Sequence, residues 1–377
     1  MSTPIAADVI VIGGGIMGAA TAFFLRQRGV QVVLLERGLV GQQASGVNFG
    51  NVRRQGRFLP QLPLANRSRG VWGRMNALLG EDAEFIAAGH IRLAFRAEDV
   101  ARLEAHAEAV REYGLELEMV SGNALRARFP FLAREVLAAS YSPLDGHANP
   151  RLAAPAFGRA AGRDGAVVVE NAEVLAIEKA GDDFIVETRS AGNYRAPAVQ
   201  VSAGAWGGAL SARFGEPVPM VAKGPQMGVT EPVPYRIDPA IGVASAIAGE
   251  AIYLRQVKRG NIVYGGGWRG PARPDIQRAY VDPMNTLRQA PMLRRVVPAL
   301  GALRTIRTWS GIEGYLPDDI PIIGPSGKVA GLFYAFGFCG HGFQLGPGVG
   351  ETMAELIATG ASTTPLAPFH IGRFTKQ

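Results

Sequence analysis

The sequence predicts an α/β fold joined to a second part built on a mixed sheet, and three observations predict it. Near the N-terminus a β-branched run, Asp8 to Ile12, passes through Gly13-Gly14-Gly15-Ile16-Met17-Gly18 into a helix with an apolar face. Near the C-terminus the order strand, glycine-rich segment, helix returns. Between them lie short strand-like runs punctuated by Pro and Gly, the pattern of a mixed or antiparallel sheet.

In chain order, Asp8 to Ile12 is a continuous apolar run of the kind buried on both faces of a parallel sheet. Ala19 to Arg28 is the following helix, Gly29 ends it, and Gln31 to Leu35 is a second strand closing on Glu36, which completes one βαβ unit of about 30 residues. Glu98 to Tyr113 carries Ala101, Leu103, Ala107 and Val110 among Arg and Glu residues, a charged amphipathic helix with a solvated face on a cap-like region. Val167 to Val169, Val174 to Ile177 and Phe184 to Thr188 are strands, and Val199 to Ser202 leads into Ala203-Gly204-Ala205-Trp206. Ala251 to Arg255 and Asn261 to Tyr264 are strands of the middle section. Gly331 to Ala335 is a buried strand, Gly337 to Gly348 a glycine-rich loop, and Val349 to Ile357 a helix. Because this tail repeats the opening pattern, the first domain is expected to be discontinuous: residues 1–80, 140–217 and 305–377, with 81–139 and 218–304 forming the second domain.

Composition narrows the class. At 377 residues, 47% hydrophobic and 19% charged, the chain is long enough for a large buried core. The single cysteine, Cys339, excludes an internal disulfide and any cysteine-ligated zinc or iron-sulfur centre within this chain, and points to a reducing, cytoplasmic compartment. The net charge of +7 comes from scattered arginine, with no basic run and no aromatic-basic interleaving, which argues against nucleic-acid binding. The apolar stretch Val9 to Ala22 is preceded by Asp8 and interrupted by glycines, unlike a signal peptide, and no segment reaches about 18 uninterrupted apolar residues.

The chemistry sits in the glycine motifs. Gly13-x-Gly15-x-x-Gly18 follows a strand, opens a helix, and is followed by Glu36 at the end of the next strand, the arrangement that binds a dinucleotide. The first glycine makes the tight turn, the second lets backbone approach the pyrophosphate, the third permits close helix-strand packing, and the acid accepts hydrogen bonds from the ribose. This unit alone does not separate FAD from NAD. Phe336 to Gln344 offers a second row of backbone N–H groups at a helix start, suited to the negative charge of a reduced flavin.

On Asp8 to Gly18, Leu34-Leu-Glu-Arg37, Ala44-Ser-Gly-Val-Asn-Phe-Gly50, Ala172-Glu-Val174, Val201 to Trp206, Trp309 to Asp318 and Gly337 to Gln344, nearly the whole chain resembles the D-amino-acid oxidase superfamily of FAD-dependent oxidoreductases. That family includes glycine and sarcosine oxidases and the flavin subunits of heteromeric proline, hydroxyproline, octopine and hydrogen-cyanide-forming dehydrogenases. The resemblance implies a Rossmann-like FAD-binding domain with a mixed-sheet substrate domain, non-covalent FAD, and oxidation of an amino acid or secondary amine by hydride transfer to flavin N5. It also carries over a cofactor set: Gly13, Gly15, Ile16, Met17, Gly18, Glu36, Arg37, Ala44, Ser45, Gly46, Asn48, Gly50, Val174, Ala203, Gly204, Trp206, Gly337, Gly340, His341, Gly342, Phe343 and Gln344.

Departures from the family pattern shape the rest. Where glycine and D-amino-acid oxidases place a carboxylate-binding arginine after the Trp-x-Gly step, Glu313 stands, and where monomeric sarcosine oxidases place a lysine in the final loop, Gln344 stands. Arg255, in Tyr253-Leu-Arg255, is therefore the first candidate for the substrate carboxylate, with Arg53 and Arg54 next. Tyr253, His341, Gln344 and Glu313 complete the candidate catalytic set, Glu313 as a group that attracts a cationic amine. Asn261 to Gly267 lacks the lysine that favours oxygen reduction, so the resemblance implies a dehydrogenase whose electrons leave through iron-sulfur partner subunits. Two rivals stand beside it, a free-standing oxidase that makes hydrogen peroxide and a non-catalytic flavoprotein serving assembly or RNA modification.

Overall fold

The computed structural model describes residues 4–374. At its centre is a six-stranded sheet in the spatial order Ile322–Pro325, Leu332–Phe336, Ala198–Val201, Val9–Ile12, Val32–Leu35, Val167–Val169. All neighbours are parallel except the first pair. The alternation within its central strands decides what covers each face. Val9, Val11, Val32 and Leu34 face a helical layer, whereas Ile10, Ile12, Val33 and Leu35 face a second, four-stranded sheet through Phe184, Val186 and Tyr194.

The helical layer consists of Ile16–Arg26, Leu62–Leu79, Pro150–Arg163 and Gly342–Thr359. The last corrects the sequence reading: the segment expected to be loop from Gly337 to Gly348 is already helical from Gly342. Glycine and proline weaken an isolated helix, but here they permit packing. A Cβ on Gly350 would lie 2.4 Å from Ala20 Cβ, and one on Gly348 would lie 2.6 Å from Ser68 Cβ. Pro347 cannot donate to the helical ladder, and Ser68 Oγ enters at that turn, accepting from Gly348 N at 3.0 Å and donating to Gln344 O at 2.5 Å.

The second part is a nine-stranded sheet ordered Thr305–Ser310, Val221–Pro232, Asn261–Gly270, Ile252–Gln256, Ala240–Val243, His90–Ala94, Ala138–Ser142, Glu118–Ser121, with Glu313–Tyr315 pairing Val221–Pro232 at one end. Its core, including Ile91, Leu254, Ile262 and Tyr264, packs against the Pro283–Val296 helix through Leu293 and Val296. Sheet membership differs from the expected division in two places. Thr305–Ser310 and Glu313–Tyr315 pair with the substrate-side sheet instead of the parallel one, and Ala138–Ser142 crosses the division at 139/140. Strand pairing, a long-range choice, leaves no mark in the local pattern. The charged helix, Ala97–Ala109, is solvated on one face, while Leu103 and Ala107 are buried and His106 accepts Gly56 N at 2.8 Å.

Candidate functional site

A cavity of about 560 Å³ opens where the carboxyl ends of the parallel strands meet the nine-stranded sheet, the place where open α/β sheets bind ligands. At its floor Gly13 has φ +102°, and a Cβ there would stand 2.5 Å from Ser202 O, so only glycine makes the turn. Gly18 packs the helix onto the strand, since a Cβ would stand 2.0 Å from Gly13 O. Gly15 is different: its missing Cβ would face Ser45 Oγ at 3.1 Å in the cavity wall, which leaves a cradle for an approaching group.

The Ile16–Arg26 helix has no side-chain cap, so first-turn N–H groups face this cradle. Ser45 Oγ accepts one of them, from Ile16 N at 2.9 Å. Glu36 accepts from Gly14 N at 2.6 Å and Gly38 N at 2.8 Å, which fixes its carboxylate at the cavity edge beside Val174. Further along, Asn51 Oδ1 and Gln344 Oε1 are buried acceptors in the wall that make no hydrogen bond among the described residues. Unpaired buried acceptors of this kind suit a ligand with N–H or O–H donors. A dinucleotide with a polar ring therefore fits the residues present.

Beyond that point the wall becomes cationic. Arg53, Arg57 and Arg92 line it, Arg57 only 5% exposed. Arg57 Nη1 and Nη2 both donate to His341 O at 3.3 Å, and Arg53 Nη2 lies 3.4 Å from His341 Nδ1. Burial, with Arg92 adding repulsion, lowers Arg53 to about 10. Burial and then Arg53 push Arg57 well below the usual guanidinium value. Burial, reinforced by these arginines, also keeps His90 and His341 neutral, far below the usual histidine value.

The wall also holds Tyr253, Arg269, Glu313 and Tyr315. Tyr315 donates to Glu313 Oε2 at 2.8 Å, and Arg269 lies over the Tyr315 ring at 4.8 Å. Burial raises the Glu313 carboxyl despite Tyr315 and Arg269, and raises Tyr253 to about 12.

The cofactor residues named from sequence mostly gather here. Gly13, Gly15, Ile16, Met17, Glu36, Arg37, Ala44, Ser45, Asn48, Val174, Ala203, Gly204, Trp206 and Gly337 line the cavity, as do Gly340, His341, Gly342, Phe343 and Gln344. Gly18, Gly46 and Gly50 do not; they allow close backbone packing behind the wall, Gly46 against Gly41 O and Gly50 against Ala148 O. Tyr253 and Glu313 are in the wall, but Arg255 is a correction. Its Nε donates to Phe49 O at 2.7 Å and its Nη1 lies 3.1 Å from His147 Nδ1, so its buried guanidinium supports the Phe49 loop from behind. Arg54 is likewise structural, bonded through Nε to Asp145 at 3.0 Å. Arg57, Arg92 and Arg269 were missed because nothing local distinguishes them among so many arginines. Cys339 is 4% exposed, accepts from Leu316 N and donates to Gly337 O, and burial pushes its thiol up to about 11. It is a packed residue and not a reactive thiolate.

Known proteins match this arrangement. A glycine oxidase from Geobacillus kaustophilus is 32% identical over 97% of this chain and 98% of its own length. Sarcosine oxidase subunit beta from Rhizobium meliloti is 27% identical over 98% of this chain and 88% of its own. The crystal structure of an L-proline dehydrogenase from P. horikoshii superposes with a TM-score of 0.92 at 27% identity, covering 99% of both chains. Residues 8–356 match the family described as FAD dependent oxidoreductase. With the dinucleotide cradle and its unpaired acceptors in place, the chain belongs to the FAD-dependent oxidoreductases and FAD is its cofactor.

Proposed function

We propose that the protein oxidises an amino acid or secondary amine, with its carboxylate held by Arg53 and Arg57 and its nitrogen turned towards Glu313. The observation that carries this reading is the presence, in one cavity wall, of an arginine pair that forms no ion pair among the described residues and of a carboxyl, Glu313, raised by burial. FAD, when bound, supplies the two-electron acceptor for hydride from the carbon bearing the nitrogen. The chain's own residues do the rest. Arg53 and Arg57 fix one end of the substrate, converting the encounter into an oriented one. Glu313 accepts a proton from the substrate ammonium, because only the neutral amine has the lone pair that expels hydride. The carbon loses two electrons and a proton as hydride, C=N replaces C–N, and water then hydrolyses the imine.

An anaerobic panel of D- and L-proline, hydroxyprolines, sarcosine, glycine and opines tests this through loss of flavin absorbance. Bleaching by at least one carboxylated amine is the expected result. A protein that holds FAD yet bleaches with none would leave the reading as a non-catalytic flavoprotein.

For the electron acceptor we propose partner subunits bearing an iron-sulfur relay, supported by the likeness to a sarcosine oxidase beta subunit and by the absence of lysine from the cavity wall among the described residues. One observation favours the oxidase instead: the arginines of the cavity wall supply a fixed positive charge of the kind that assists oxygen reduction. Peroxide yield in air, compared with dye-linked turnover, separates the two.

A further inference from the structure

Resting on the amine-oxidation reading, we infer that the substrate carries a second carboxylate close to the first, and that Arg92 receives it. Arg92 extends from the strand His90–Ala94 into the cavity and makes no hydrogen bond or ion pair among the described residues. Its Nη1 and that of Arg53 both lie within 3.3 Å of the point where a Cβ on Gly56 would stand, so two guanidinium groups share one pocket.

The neighbouring acids are engaged elsewhere. Asp145 is bound by Arg54, Asp99 pairs with Arg96 and Arg102, and Glu313 accepts from Tyr315. The histidines around the pocket are bonded in their neutral form, His90 Nδ1 at 2.9 Å from Gln55 Nε2 and His106 Nε2 accepting from Gly56 N. Arg53, Arg57 and Arg92 therefore line the cavity with no ion pair among the described residues, Asp145 acting on the first two only at longer range. One carboxylate satisfies the Arg53 and Arg57 pair but leaves Arg92, half-buried and partly desolvated, without a partner. The pyrophosphate of a bound cofactor would be held at the helix N-terminus by Gly15 and Ser45, and not by these arginines. A second carboxylate a few bonds from the first meets the remaining charge, and Arg–carboxylate recognition in a water-poor pocket is strong enough to discriminate substrates.

The test uses amines that differ only by that group: sarcosine against iminodiacetate, alanine against aspartate in both stereoisomers, and proline against pyrrolidine-2,5-dicarboxylate. With the holoenzyme, the dicarboxylate of at least one pair should reduce the flavin with kcat/KM on the order of a hundredfold above its partner. Arg92→Met should erase that preference by lowering the dicarboxylate's kcat/KM towards that of its monocarboxylate partner. Equal or faster reduction by the monocarboxylate in every reactive pair would overturn the inference and leave amine oxidation standing. So would an Arg92→Met variant that slows both members equally with a shifted flavin midpoint potential, which would assign Arg92 to the cofactor. If no amine reduces the flavin, the amine reading fails, and a non-reactive pair still decides about Arg92: succinate, but not propionate, should perturb the flavin spectrum and lose that effect in Arg92→Met. Equal responses to the two would overturn the inference.

Discussion

Replacing Asp145 with alanine probes the support of the proposed anion site without touching the cavity wall. The Asp145 side chain is fully buried and takes three donors from the loop that carries the site arginines: Arg54 Nε at 3.0 Å, Arg54 N at 2.8 Å and Gln55 N at 3.4 Å. Its removal strands Arg54, 9% exposed, with Asn66 Oδ1 at 3.2 Å as the remaining side-chain acceptor. Breaking a buried ion pair from one side costs about 3–5 kcal/mol, because the surviving charge stays desolvated. The loss should be visible in urea unfolding of the FAD-loaded protein followed by tryptophan fluorescence. Glu104→Ala, at an exposed position, should change unfolding by less than about 0.5 kcal/mol. Because Arg53 and Arg57 flank the anchored residues, the variant's KM should rise more than its kcat falls. A destabilisation below about 1 kcal/mol with an unchanged KM would refute the reasoning, since it would mean that the loop holds its shape without the carboxylate.

Other outcomes follow from single contacts. Glu36→Ala should weaken FAD retention by roughly tenfold or more, measured by flavin content after dialysis, since a charge-assisted acceptor at the cradle is lost. Activity should fall as pH drops through a Glu313 pKa above the ordinary carboxylate range, because the acceptor becomes protonated, and Glu313→Gln should remove that acid limb from the kcat/KM profile. His147 is lowered by burial, and then by Arg255, to about 3; the unfolded chain binds that proton near 6.5, so stability is full above pH 6.5 and is lost as pH falls towards 3. Urea midpoints at pH 7.5 and 5 should show the decline, and His147→Asn should flatten it. Gly350→Ala should destabilise by about 1–3 kcal/mol through its clash with Ala20, whereas Gly162→Ala, with open space around it, should stabilise by about 0.5–1 kcal/mol; thermal melts compare them.

The cradle was legible because its chemistry is local. Gly13, Gly15, Gly18 and Glu36 lie within one βαβ unit, and the demands of turn, approach and packing act on neighbours in the chain. Glu313 and Tyr253 came from resemblance, and the cavity holds both. Arg255 lies outside the cavity although Tyr253 lines it; period 2 places both on one face of a strand but cannot say how far along it the cavity reaches. Arg57 and Arg92 lie on a loop and on a strand that meet only in the folded chain, and the composition offers many arginines to choose from. The helix from Gly342 hid behind its own glycines and proline, whose compensation, Ser68, lies on a helix far away in sequence.

That crossing also dictates when the protein can first hold its cofactor during synthesis. The central strand Val9–Ile12 acquires its neighbour Ala198–Val201 only after half the chain has been made, and Leu332–Phe336 joins later still. The helix that contributes the phosphate cradle packs at Ala20 against Gly350, so that side of it stays uncovered until residue 350 has left the ribosome. Nascent chains shorter than about 340 residues therefore leave Ile16 and Ala20 without their partners Gly346 and Gly350 and lack part of the Gly337–Gln344 wall. Ribosome-bound intermediates truncated before this helix should be protease-sensitive and colourless, and flavin capture should coincide with its release.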